Sequence, residues 1–152
     1  MGQYHPTAMS RKKPSAPAQW LYDNKYFSKE DVSLDYGCGK GVDVVAFNME
    51  GWDPYGEYSS AVHESNLFLY FDVILCTYVL NVIENEEEKD HVIKKLNTLL
   101  NGGGKAYITV RADKANLNGR TKKGTYQEYI NLDLPIIRKT SSYIIYELTK
   151  NE

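Results

Sequence analysis

Three glycines at alternate positions, Gly37, Gly39 and Gly41, follow an acid, Asp35, at the end of the short apolar run Val32-Ser33-Leu34. With no side chain, they let the backbone turn sharply and let a ligand lie directly against bare peptide N–H groups. Glycine clusters also make ordinary turns, so the setting carries the weight. An apolar strand before the glycines, a carboxylate two positions ahead and a helix after are what a nucleotide-type ligand at a strand–helix switch point requires. A second group of polar residues, Thr77, Tyr78 and Asn81, follows the apolar run Phe71-Asp72-Val73-Ile74-Leu75-Cys76. That run is short and rich in β-branched residues, as in a strand covered on both faces. Its carboxyl end therefore lies beside the glycine loop, where ligands bind in open α/β sheets.

The surrounding elements follow from periodicity and punctuation. Val42 to Met49 reads as a short helix with Asp43 in its positively polarised first turn, ended by Gly51. Tyr55 to Tyr70 is interrupted by Tyr58-Ser59-Ser60 and is too short for the helix, strand and helix of a full sheet, so the sheet is expected to be reduced there. Glu84 to Leu100 gives the clearest helix, with Val92, Ile93, Leu96, Leu99 and Leu100 on one face behind an acidic start. Asn101-Gly102-Gly103-Gly104 reads as a turn and Lys105 to Arg111 as a strand. Residues 112–128 form a polar connection, either a solvated loop or a recognition loop in which Arg120, Lys122 and Lys123 meet phosphates, Tyr126 stacks a base and Gln127 donates and accepts. Pro135 to Lys139 and Tyr143 to Thr149 read as a terminal antiparallel pair.

Leu34-Asp35-Tyr36-Gly37-Cys38-Gly39-Lys40-Gly41 resembles motif I of the class I methyltransferases that use S-adenosylmethionine. Gly51-Trp52-Asp53-Pro54 and Phe71 to Ile83 resemble the next two blocks, and the resemblance runs in order over roughly residues 5–148. It is nearest to small phage-type and DNA-phosphorothioation-associated methyltransferases, which it also resembles over His5 to Pro17 and in the late loop. The resemblance implies an α/β fold with a Rossmann-like sheet, mostly parallel with an antiparallel C-terminal strand pair and reduced over 55–70. It implies S-adenosyl-L-methionine as cofactor, held by Asp35, Gly37, Cys38, Gly39, Gly41, Asp53, Thr77 and Tyr78. Asp53, 18 residues after Asp35, takes the ribose hydroxyls, although it also reads as a turn starter before Pro54 and Glu57 lies near the same spacing. Arg11, Asn81, Arg111, Tyr126 and Gln127 fall on the acceptor side. The implied reaction is methyl transfer to a nitrogen or oxygen of an unidentified acceptor, with DNA or RNA as candidates. The rival is a non-catalytic binding or partner module with the same fold. No catalytic residue stands out. The Asp/Asn-Pro-Pro-aromatic motif of DNA amino-methyltransferases is absent at Thr77-Tyr78, and Leu75 replaces the proline that precedes the cysteine of cytosine C5 enzymes.

At 152 residues and 42% hydrophobic content the chain suits one domain, 1–152, with residues 1–19 as an N-terminal lid or tail. That stretch carries Pro6, Pro14, Pro17, Arg11, Lys12 and Lys13 and shows neither helical nor strand periodicity before Trp20. A net charge of −2 gives no strong positive field for gripping nucleic acid by charge alone, which leaves a local basic patch as the route to such a partner. Cys38 and Cys76 have no framework spacing and no metal-ligand relation to His5, His63 or His91, so no metal is expected. No membrane-length apolar run and no leader are present, and the expectation is a cytoplasmic protein with reduced thiols.

Overall fold

The computed structural model describes residues 13–53, 70–113, 117–120 and 126–152. In chain order the elements are α1 (Ala16–Asp23), β1 (Ser33–Tyr36), α2 (Val42–Phe47), β2 (Glu50–Trp52), β3 (Phe71–Thr77), α3 (Glu86–Leu99), β4 (Leu100–Arg111), β5 (Asn118–Arg120), β6 (Tyr126–Glu128), β7 (Ile136–Lys139) and β8 (Tyr143–Thr149). One six-stranded sheet has the order β2-β1-β3-β4-β8-β7, and β5 pairs separately with β6. β2, β1, β3 and β4 are parallel, while β8 runs antiparallel to both β4 and β7. The mixed α/β sheet with its antiparallel C-terminal pair is as the sequence implies. The reduction over 55–70 falls almost wholly on residues outside those described.

Strand periodicity divides the core into two layers. Leu34, Ile74, Cys76, Ala106, Ile108, Ile144 and Tyr146 pack on one face against Val92, Leu96 and Leu99 of α3. Val73, Leu75, Tyr107, Tyr143 and Ile145 pack on the other against Ala18 and Leu21 of α1 and Phe47 of α2. Aromatic rings complete this second layer, with Phe47 tilted against Tyr22 and edge-on to Phe27. Each fully buried large side chain contributes roughly 1.5–3 kcal/mol, so these two layers hold the sheet between helices.

Several boundaries differ from the sequence reading. α1 begins inside the stretch that shows no periodicity: Ser15 caps it, accepting from the Ala18 amide, and Pro17 falls in the first turn, where a missing N–H costs nothing. α2 stops at Asn48, which adopts φ +55°, and Gly51 belongs to β2. α3 starts after Asn85, whose side chain accepts from the amides of Glu87 and Glu88. The run Asn101-Gly102-Gly103-Gly104 is a strand extension at an irregularity between β3 and β4, not a plain turn. A Cβ on Gly104 would sit 2.9 Å from the Asn101 carbonyl and 3.1 Å from those of Phe71 and Asp72, so only glycine permits this approach. The polar connection 112–128 contains the β5–β6 pair.

Candidate functional site

The order of the strands reverses between β1 and β3: β2 lies beyond the first and β4 beyond the second. A crevice opens outside the carboxyl ends of such a pair. The glycine loop leaves β1 there, and its Gly37 and Cys38 amides both donate to the Trp52 carbonyl at the end of β2, at 2.7 and 3.0 Å. Gly37, Gly39 and Gly41 all have positive φ, +87°, +54° and +78°. A Cβ on Gly37 would lie 2.5 Å from a methyl of Val79, so the loop is pressed against the segment that follows β3. Gly39 differs, with nothing among the described residues within 4 Å of where its Cβ would be. Its amide donates to Asp53 Oδ2 at 2.8 Å, bringing the carboxylate after β2 onto the loop.

Asp35 is buried two residues before the loop. Burial, and secondarily the Asp35 carboxylate nearby, push the Cys76 thiol above its ordinary value and keep it protonated. Cys38 is buried, forms no disulfide among the described residues, and packs against Gly51 of β2. A ligand with an adenosine and a charged amino-acid end fits this donor set. The Gly39 peptide and the adjoining Asp53 and Asp35 carboxylates are the groups that would meet its polar ends.

The second half of the site is the segment after β3. Tyr78 adopts φ +60°, rare for a residue with a bulky side chain, and its amide donates to the Thr109 carbonyl at 2.8 Å. Asn81 lies buried in a single 3-10 turn, Leu80–Val82, and its Nδ2 donates to Gln127 Oε1 at 2.8 Å across 46 residues of sequence. Thr77 Oγ1, Thr109 Oγ1 and Asn81 Oδ1 are buried with no hydrogen-bond partner among the described residues. Thr77 and Thr109 are opposite one another in the β3–β4 ladder.

The structure thus gathers Asp35, Gly37, Cys38, Gly39, Gly41 and Asp53 at one loop, with Thr77 and Tyr78 at the end of the adjacent strand. Asn81, Tyr126 and Gln127 form a second cluster. Arg111 is engaged locally by Asp113, its Nε donating to Oδ1 at 2.9 Å. Arg11, Glu57, Lys122 and Lys123 lie outside the described residues, as does the Arg120 side chain.

Sequence reasoning missed Lys89. It falls three residues before Val92 on the buried stripe of α3, and the i, i+3 spacing was the available signal. Its ammonium binds Glu86 at 2.8 Å and also Glu128, whose other oxygen accepts from the Tyr126 hydroxyl at 2.9 Å. Together with Asn81–Gln127 this fastens β6 to the main body. Burial lowers the Lys89 pKa, but the bonds to Glu128 and Glu86 outweigh it and leave it raised. The Lys89 bond holds Glu128 below the usual carboxylate range. Glu128 therefore contributes stability above its unfolded value, lost as pH falls through its folded one. Lys89 contributes below its unfolded value, and that is lost as pH rises through its folded one. The docking of β6 is expected to be firmest between these limits. Amide exchange across residues 126–130 should quicken in acid before that of β3 and β4, and simultaneous loss in both would show that the cluster has no local role.

Among the described residues no group of three or more His, Cys, Asp or Glu side chains converges as a metal site, and no helix is long and apolar enough to cross a membrane. No match is found among curated protein sequences. Solved structures share the fold. Burkholderia thailandensis 1,6-didemethyltoxoflavin-N1-methyltransferase, solved with 1,6-didemethyltoxoflavin and S-adenosylhomocysteine, superposes with a TM-score of 0.59 at 16% identity, covering 90% of this chain and 78% of that one. TehB from Haemophilus influenzae gives 0.60 at 14% identity, over 93% of this chain and 64% of its own. The N-methyltransferase NodS from Bradyrhizobium japonicum, in complex with S-adenosylhomocysteine, gives 0.50 at 13% identity, over 80% and 79%. The methyltransferase domain profile matches residues 10–139, a span that takes in the glycine loop, the segment after β3 and the β5–β6 pair, and on that match the chain belongs to the methyltransferase domain family.

Proposed function

We propose that the protein transfers a methyl group from S-adenosylmethionine to a nitrogen or oxygen acceptor. The observation that carries this reading is Gly39: a left-handed residue with nothing among the described residues within 4 Å of where a side chain would begin, its amide already shared with the Asp53 carboxylate. Asp35 and the loop at Gly37, Cys38, Gly39 and Gly41 are assigned the amino-acid end of the cofactor and Asp53 the ribose. Thr77 and Tyr78 are assigned the side nearest the acceptor. When bound, the cofactor supplies an activated methyl group on a sulfonium. The chain's own part is to hold donor and acceptor in line and to keep water out. A nitrogen lone pair needs no general base, in keeping with the lack of an obvious one. Two of the structural relatives are N-methyltransferases, which supports nitrogen as the first acceptor to test.

The placement nearest the phage-type group, a cytoplasmic setting and a DNA or RNA acceptor are proposals resting on the sequence, the last on Arg11, Arg120, Lys122 and Lys123. Calorimetric titration with S-adenosylmethionine and S-adenosylhomocysteine tests the central reading. Micromolar binding, about −8 kcal/mol, is expected, and absence of heat with both ligands sinks it. Replacing Asp53 with alanine should weaken binding by roughly 1.5–3 kcal/mol, the scale of hydrogen bonds to a charged group, while leaving the chain folded. If Glu57→Ala has that effect and Asp53→Ala does not, the ribose belongs to Glu57.

A further inference from the structure

Asn81 is 1% exposed, yet only half of its amide is satisfied. Nδ2 donates to Gln127 Oε1 at 2.8 Å. Oδ1 is left as a buried acceptor with no partner among the described residues. Burying such an oxygen unpaired is costly, and a site made for a ligand is one place where the cost persists. Its position agrees. Asn81 follows by two residues Val79, whose methyl presses on Gly37 of the loop, and Thr77 at the end of β3 carries a second buried oxygen with no partner among the described residues.

We infer that Asn81 Oδ1 recognises the methyl acceptor, and that the group it recognises carries a proton: an amine, an amide N–H or a hydroxyl. A carboxamide oxygen only accepts. With Gln127 holding the donor half, Asn81 has nothing to offer a carboxylate, a thiolate or a phosphate oxygen, and its lone pairs oppose such anions. Gln127 is accordingly a positioning residue that keeps the amide from turning over. This inference rests on the methyltransferase reading. In the transfer, the acceptor's lone pair forms the new bond to carbon as the carbon–sulfur bond breaks toward sulfur, and the acceptor's proton passes to bulk water once the methylated product leaves the site, since Asn81 cannot take it.

The test uses the full chain with S-adenosylmethionine tritiated in the methyl group and an extract of the cells that make the protein. Asn81→Leu and Gln127→Leu are compared with the parent chain for thermal unfolding, S-adenosylhomocysteine binding and label transferred. Asn81→Leu is expected to stay close to the parent's melting temperature, because removing a buried orphan oxygen offsets the lost bond to Gln127, and to bind S-adenosylhomocysteine as the parent does. Transfer should fall by about 10- to 100-fold. Gln127→Leu, changed at a half-buried position, should fold and show a smaller loss. The transferred label should sit on nitrogen or a hydroxyl oxygen, stable to mild base. Base-labile label released as methanol, label on sulfur, or full transfer by both variants overturns the inference while leaving the methyltransferase reading intact. A marked fall in the melting temperature of Asn81→Leu together with undiminished transfer by Gln127→Leu gives Asn81 a structural role instead. No transfer by the parent chain despite cofactor binding overturns both the reading and the inference.

Discussion

A Gly39→Val chain folds and fails to bind S-adenosylmethionine, whereas Gly37→Val loses stability as well as binding. The two glycines share a left-handed backbone, and forcing a branched residue into it costs about 1–2 kcal/mol in each case. They differ in what a side chain would meet. At Gly39 none of the described residues lies within 4 Å of the added Cβ, so the variant should stay within the roughly 5–15 kcal/mol that holds an ordinary domain together while its side chain fills the volume assigned to the ligand. Affinity should fall by about 100-fold or more, equivalent to some 3 kcal/mol. At Gly37 the new side chain would overlap Val79, adding about 1–3 kcal/mol of overpacking. Calorimetry and thermal melting separate the two. Undiminished cofactor binding by Gly39→Val would show that the loop is only a turn.

The Asp43→Ala chain is expected to lose about 2–4 kcal/mol of stability. Asp43 is buried at the start of α2, and its two oxygens accept from the Ser15 amide at 2.8 Å and the Ser15 hydroxyl at 2.7 Å. Hydrogen bonds to a charged group contribute about 1.5–3 kcal/mol, and truncation would also leave two buried donors without their acceptor. Ser15→Ala removes one of those bonds and the cap of α1, for about 1–2 kcal/mol. Because the two side chains act through one contact, the double variant should lose less than the sum. Urea unfolding of the three variants measures this, and strict additivity would show that the contact contributes nothing of its own.

The contrast between these experiments shows what the sequence carries. The glycine loop was legible because its requirements are local: three positions without side chains, a strand before and a helix after, all between Ser33 and Phe47. The contact between Ser15 and Asp43 was not. It joins residues 28 apart, and each has an adequate local explanation as a helix-terminus residue. α1 was obscured for a related reason. Pro14 before it and Pro17 within it suppress periodicity, and Pro17 is harmless only because it stands in the first turn. The glycine run after α3 was misread because local spacing favours a turn, while its actual role, close passage beside the carbonyls of Phe71 and Asp72, depends on a neighbouring strand. In the second cluster, sequence reading named Asn81, Tyr126 and Gln127 individually. What it lacked was the pairing across 46 residues and the buried Lys89 that binds Glu128 beside them.

Both cysteines are sealed in the folded chain, Cys38 against Gly51 and Cys76 in the middle of the sheet. The first lies in the loop and the second belongs to the central strand, so a thiol reagent meets them through openings of different extent. Alkylation at Cys38 reports partial release of the loop from β2, and alkylation at Cys76 reports rupture of the sheet itself. The chain therefore carries two internal clocks. Their separate rates distinguish a ligand that merely clasps the loop from one that stabilises the entire domain, without any label having to be engineered into it.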